Sequence, residues 1–175
     1  MGLGGRVVER TGRAPHISFR WDAETDILTG TIKSARRADE GLTGSVELEG
    51  SDGSFVLLDV VGGAIRGVEV VVWPDVKTAP ALAAPSAVEE ADLTLSGRRS
   101  QPSVAAVEVD TALTIETNAA ESVFHVRLGG GGGPARRARV IRVADGLLVE
   151  MDEHNEVTGL WLLDVPPFPA DEPVM

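Results

Sequence analysis

The chain has 175 residues, a formal net charge of −11, 43% hydrophobic residues, 4% aromatic residues and no cysteine. That length suits one ordinary domain or two very small ones, and with so few aromatics the core must rest on Val, Leu, Ile and Ala. Absent cysteine excludes disulfides, thiolate catalysis and Cys-ligated zinc, and the acidic balance argues against nucleic-acid binding, which needs clustered Lys and Arg.

Residues 1–14 carry Arg6, Arg10 and Arg13 and are expected to form a flexible basic tail. No charged n-region followed by an apolar h-region opens the chain, and no apolar run reaches the roughly 20 residues that span a bilayer. The expected setting is therefore the cytoplasm, without a membrane span. From 15 to 73 the pattern is period-two alternation rich in β-branched residues, which predicts strands over 17–21, 27–33, 45–49, 54–60 and 65–73. Residues 74–103, rich in Pro, Ala and Ser, suggest a linker. Within it Ser86 and Glu89 have the spacing of a capping box, which would open a short helix over 87–93.

Alternation resumes over 104–166, predicting strands at 107–117, 123–128, 139–143, 147–152 and 157–165, and 167–175 forms an acidic tail. Five glycines, Gly129 to Gly133, separate two of these strands. A phosphate-binding loop would need Gly-Lys-Ser/Thr opening a helix, whereas "GGPARRARV" leads into another alternating stretch, so the run is expected to be a plain connection. Its amides and the following Arg136, Arg137, Arg139 and Arg142 leave anion binding as the lesser alternative.

The two strand sets are similar to each other. "DAETDILTGTI" at 22–32 falls in step with "NAAESVFHVRL" at 118–128, an offset of 96, while "IRGVEV" at 65–70 matches "VTGLWL" at 157–162, an offset of 92. "FVLLDV" from Phe55 matches "LLVEMD" from Leu147 in that second register. The expected fold is all-β or nearly so: two tandem homologous antiparallel units of about five strands each, packed together because a unit of about 55 residues buries too little surface alone.

"NAAESVFHVRL", "GLLVEMDEHNEVTGLWLLD" and, more loosely, "WDAETDILTGTI" with "GAIRGVEVVV" resemble a family of short uncharacterised bacterial β domains, a domain of unknown function. Its members open with a stretch such as YDPEADALYIRL, pass through GIIVDYDEDG and close with VVGIEIL. The resemblance covers 17–73 and 113–165 and implies a small, mainly β fold, with no activity attached. The chain departs from the pattern with Thr29 and His125 in place of Tyr and with Val61 to Gly63 in place of an acidic turn.

Two acidic clusters, Asp22/Glu24/Asp26 and Asp152/Glu153/His154/Glu156, fail the calcium-loop pattern, since position six is Ile27 or Val157 and position twelve is Lys33 or Leu163. They are expected to be hairpin turns. His16, His125 and His154 have no zincin spacing, no Ser lies in a nucleophile elbow, and His125 is expected to be a partly exposed strand residue. No enzymatic site, cofactor or metal is therefore expected.

In "VTGLWLLDV" alternation puts Leu160 and Leu162 on one face and Trp161 and Leu163 on the other, so the strand is either central in a sandwich or covered by a partner. The expected function is a non-catalytic protein-interaction or accessory subunit. Its partner would be another protein, in a larger complex or as a second copy, engaged through a strand edge or through Trp161, Leu163, Arg136 and Arg137, with the basic tail at Arg6, Arg10 and Arg13 steering it toward an acidic surface. The alternative is a small-molecule binding domain with its ligand cleft between the repeats.

Overall fold

The computed structural model describes residues 2–10, 12–33, 42–96, 105–129 and 139–169. Every regular element among them is a β-strand, so the protein is all-β. In chain order the strands are β1 (Gly4–Glu9), β2 (Ile17–Trp21), β3 (Leu28–Ile32), β4 (Gly44–Glu49), β5 (Phe55–Val61), β6 (Ala64–Val72) and β7 (Val76–Thr78). They continue with β8 (Glu89–Ser96), β9 (Ala105–Asp110), β10 (Leu113–Thr117), β11 (Phe124–Leu128), β12 (Arg139–Ala144), β13 (Leu147–Met151) and β14 (Val157–Leu162). Alternation is the local cause: in β3, Leu28, Gly30 and Ile32 are buried while Thr29 and Thr31 turn outward.

Two sheets form. One runs β2-β3-β6-β5-β4-β9 and the other β1-β8-β12-β13-β14-β11-β10-β7. Each contains a five-strand antiparallel run, β2-β3-β6-β5-β4 and β10-β11-β14-β13-β12, with the same order of first, second, fifth, fourth and third strand. The sheets as wholes are mixed, not purely antiparallel, because β9 joins β4, β8 joins β12 and β7 joins β10 in parallel. Their inner faces share one core, to which Leu28, Val46, Leu58 and Val68 contribute from one sheet and Leu93, Val126, Val149 and Leu160 from the other.

Several segments depart from the sequence expectation. Part of the expected basic tail is β1, which pairs along its whole length with β8. The expected linker holds β7 and β8, and β8 lies inside a sheet between β1 and β12. Ser86 and Glu89 open no helix, because Ala91, Leu93 and Leu95 alternate at period two and enter the core, and that burial outweighs one local cap. The strand expected over 107–117 is broken at Thr111 and Ala112, and its two halves belong to different sheets. There Thr111 N–H donates to Glu49 O at 3.0 Å, and Gly129 N–H donates to Ala112 O at 2.9 Å. Thus β9 belongs to the sheet of the first strand set although it precedes the second.

Residues 79–88 form a strap. From β7 to β8 the sheet spans six strand spacings, roughly 29 Å at about 4.8 Å each. Eleven peptide steps from Thr78 to Glu89 reach at most about 40 Å, and the turn closed by Leu82 N–H on Ala79 O uses part of that length. The segment therefore crosses the outer face with limited slack, in an extended form that Pro80 and Pro85 favour. Leu82, Ala84 and Val88 pack there against Val140, Leu148 and Trp161.

Candidate functional site

Under the strap, the register of β11, β14 and β13 places His125, Trp161 and Leu148 in one cross-strand row and Arg127, Gly159 and Glu150 in the next. Trp161 Nε1–H donates to Glu150 Oε1 at 2.6 Å, and the imidazole of His125 stacks on the indole with centroids 3.9 Å apart and planes 7° from parallel. His125 Nε2 lies 3.2 Å from the same Oε1 but off the line of a hydrogen bond, because the stacking fixes the ring plane. Glu150 is 1% exposed, Trp161 3% and His125 8%.

Gly159 makes room for this carboxylate. A Cβ there would stand 2.7 Å from Glu150 Oε2 and 3.2 Å from Val126 O. Its backbone lies outside the positive-φ region, so the need for glycine here is one of space.

A histidine beside a carboxylate is the base-and-orienter half of a catalytic triad. Here, however, the imidazole face is taken by indole, the shared oxygen is taken by the indole N–H, and among the described residues no hydroxyl hydrogen-bonds His125. The geometry is that of a packed polar cluster. His125 is accordingly buried, not partly exposed as its alternation suggested.

Trp161 is covered in cis by Leu82, Ala84 and Val88, with Leu163 partly buried beside it. The apolar outer face that was expected to meet a partner already has its cover. Arg136 and Arg137 lie outside the described residues, as do Gly130 to Gly133. Gly129, just before them, has φ +95°, a conformation that favours glycine. Arg139 forks onto Glu89 at 2.6 and 2.8 Å, and Arg142 and Arg10 both bind Glu90, so these three arginines are neutralised by β8.

The acidic clusters are turns between paired strands. Asp22 accepts from Glu24 N–H at 3.0 Å, and Asp152 Oδ1 accepts from the N–H groups of His154 and Glu156 at 2.8 and 3.0 Å. Asp26 and Asn155 take φ near +60° to close them. No group of three His, Cys, Asp or Glu among the described residues could hold a metal ion. His16 bridges to Asp145, and His154 is exposed on its turn. Between the sheets, Ile32, Ala64, Ile65, Leu93 and Val143 line a pocket of about 30 Å³, room for one water.

Hydrogen bonds to Arg139 hold the Glu89 carboxyl below its ordinary value of 4.5, and the hydroxyl and then the amide of Ser54 hold Asp52 below 3.8. Both folded-state values are depressed, so the stability they contribute is complete above the ordinary values and lost as pH falls through the lowered ones. Because the Glu89 pair is exposed, Arg139→Gln is expected to cost under about 1 kcal/mol at neutral pH and nothing once Glu89 is protonated. Urea melts across the acid range check this: an equal loss at all pH values would mean the pair does not act through charge.

No protein-family model matches the chain, and no curated protein matches it. Among the described residues no helix is long and apolar enough to cross a membrane.

Proposed function

We propose that the chain is a non-catalytic interaction module, a duplicated β domain that presents the outer face of its six-stranded sheet to a basic surface on a partner protein. The observation that carries this reading is the register of that face. One row runs Glu69, Leu57, Glu47, Glu108 across β6, β5, β4 and β9, and the next brings Phe55, Glu49 and Asp110 together. Glu47 therefore faces Glu108, and Glu49 faces Asp110, directly across a strand pair, where like charges destabilise. With Asp59 and Glu69, these carboxylates ring Phe55 and Leu57, which are half-buried, and Val72, which is 47% exposed. None of the six makes an ion pair among the described residues. An apolar centre with a charged rim suits a protein interface, and a cationic partner would relieve the repulsion and be steered toward it.

The duplication is supported by the strand order common to both five-strand runs, and by the spacing of matched strands. Leu28 and Phe124 open β3 and β11, 96 residues apart, while Phe55 and Leu147 open β5 and β13, 92 apart. The resemblance to short bacterial β domains lies on these same stretches.

The test pairs Glu108→Lys/Asp110→Lys on β9 with a control of equal charge change, Glu24→Lys/Glu153→Lys, on exposed turns. The β9 pair is expected to stabilise the fold by about 0.2–1 kcal/mol per relieved contact. In crosslinking from the native host it should lose a basic partner that wild type and control retain. The reading fails if wild type captures no basic partner, or if both variants lose it equally.

A further inference from the structure

Trp21 and Trp73 stack at one end of the sandwich with centroids 5.5 Å apart, and Phe124 closes against both at 6.2 and 5.4 Å. Trp73 Nε1–H donates to Asp26 O at 2.7 Å, which fixes that indole, and Phe124 is buried in the core. The ring faces are thus held by the body of the protein. The segment after β14 lies against Trp21. Its entry is anchored where Val165, itself buried, donates its N–H to Ser122 O at 2.9 Å. Pro166, Pro167, Phe168 and Pro169 follow. Trp21 Nε1–H donates to Pro166 O at 2.8 Å, and Phe168, 40% exposed, sets its ring edge-on to Trp21 at 5.2 Å.

This is the chemistry by which aromatic surfaces take polyproline segments. Three prolines in four residues preset an extended backbone with little entropy left to lose, they offer carbonyls without competing N–H donors, and an indole N–H reads one of those carbonyls. A hydrogen bond from the indole and a ring edge hold 166–169 to Trp21, while Trp21, Trp73 and Phe124 also pack on one another and Trp73 is tied to Asp26.

We infer that the Trp21–Trp73 face is a receptor for a Pro-Pro-aromatic-Pro segment of a partner protein, filled here in cis by Pro166 to Pro169. A tethered occupant competes at an effective concentration of about millimolar, so the site opens to a partner only when the cis segment is weakened or displaced. This site is separate from the acidic face and stands or falls independently of it.

The experiment titrates the full chain and its Phe168→Ala variant with a capped Val-Pro-Pro-Phe-Pro peptide, following tryptophan fluorescence. The variant is expected to bind at least tenfold tighter than wild type. It should not bind the peptide with Ala in place of Phe, and adding Trp21→Phe, which keeps a ring but removes the N–H, should abolish the gain. Pro167→Gly, at an exposed position, repeats the comparison without touching the packing of Phe168. The inference is overturned if either variant, folded by circular dichroism, shows no saturable binding up to about millimolar peptide. It is also overturned if wild type forms dimers by exchanging this segment, which would assign the seat to a second copy.

Discussion

Replacing Trp161 by alanine is expected to lower stability by about 3–5 kcal/mol, the range for deleting a large buried aromatic. The side chain is 3% exposed and fills the space between Leu148, Val140 and the strap residues Leu82, Ala84 and Val88. It also holds the buried Glu150 carboxylate with a 2.6 Å hydrogen bond and supports the His125 ring from below. Truncation therefore opens a cavity and removes a donor from a buried carboxyl group that is costly to leave unsatisfied. Trp161→Phe separates the two effects, since it keeps much of the packing and loses the N–H, and its cost should be about 1–3 kcal/mol. Urea denaturation of the three proteins gives the numbers. If Trp161→Ala costs less than about 1 kcal/mol, the strap does not pack on Trp161 as described. Partner capture, measured where the variant still folds, should be unchanged, because the residue is not presented to solvent.

That Trp161 lies in a strand apolar on both faces was legible from alternation. What covers its outer face was not, because the covering residues come from a Pro- and Ala-rich stretch whose composition suits a free linker and an extended strap equally well. The distinction depends on whether an apolar face lies beneath, which is a tertiary fact. The same stretch hid β8. "ADLTL" alternates, but it is short and directly follows a Ser86/Glu89 spacing that local chemistry favours as a helix start, and only burial of Ala91, Leu93 and Leu95 decides between them. The break at Thr111 was illegible for a different reason. Thr111 and Ala112 reverse the alternation for one pair, but the apolar positions 107, 109, 113 and 115 stay in phase on both sides, so a strand that leaves one sheet for another keeps its period. The all-β class, both acidic turns and the spacing of matched strands were readable because each rests on short-range pattern. The His125–Glu150–Trp161 cluster joins three strands, and its one sequence signal was a lone carboxylate, Glu150, inside the apolar run "LLVEM".

Gly159→Ala is expected to destabilise by about 1–3 kcal/mol, although alanine in a strand is ordinarily better than glycine. Its φ is not positive, so alanine can adopt the backbone conformation, and by the unfolded-state argument alone the change would be neutral or stabilising by about 0.4–1 kcal/mol. The opposing effect is spatial. The new methyl would stand 2.7 Å from Glu150 Oε2, and the carboxylate cannot swing aside without giving up its 2.6 Å bond from Trp161 or moving within a fully buried site. On the other side Val126 O is backbone in the neighbouring strand and cannot retreat without disturbing the β11–β14 ladder. A double-mutant cycle isolates the cause. In a Glu150→Ala background the nearer obstacle is gone, so Gly159→Ala should cost less there by about 1 kcal/mol or more, a coupling of the size found for residues in contact. Urea melts of the four proteins measure it. Equal costs in both backgrounds would place the strain in the backbone against Val126 and remove the claim that glycine at 159 exists to seat the carboxylate. A large coupling would mean instead that this buried carboxyl group and the glycine opposite it form one unit, so that neither can be exchanged without the other.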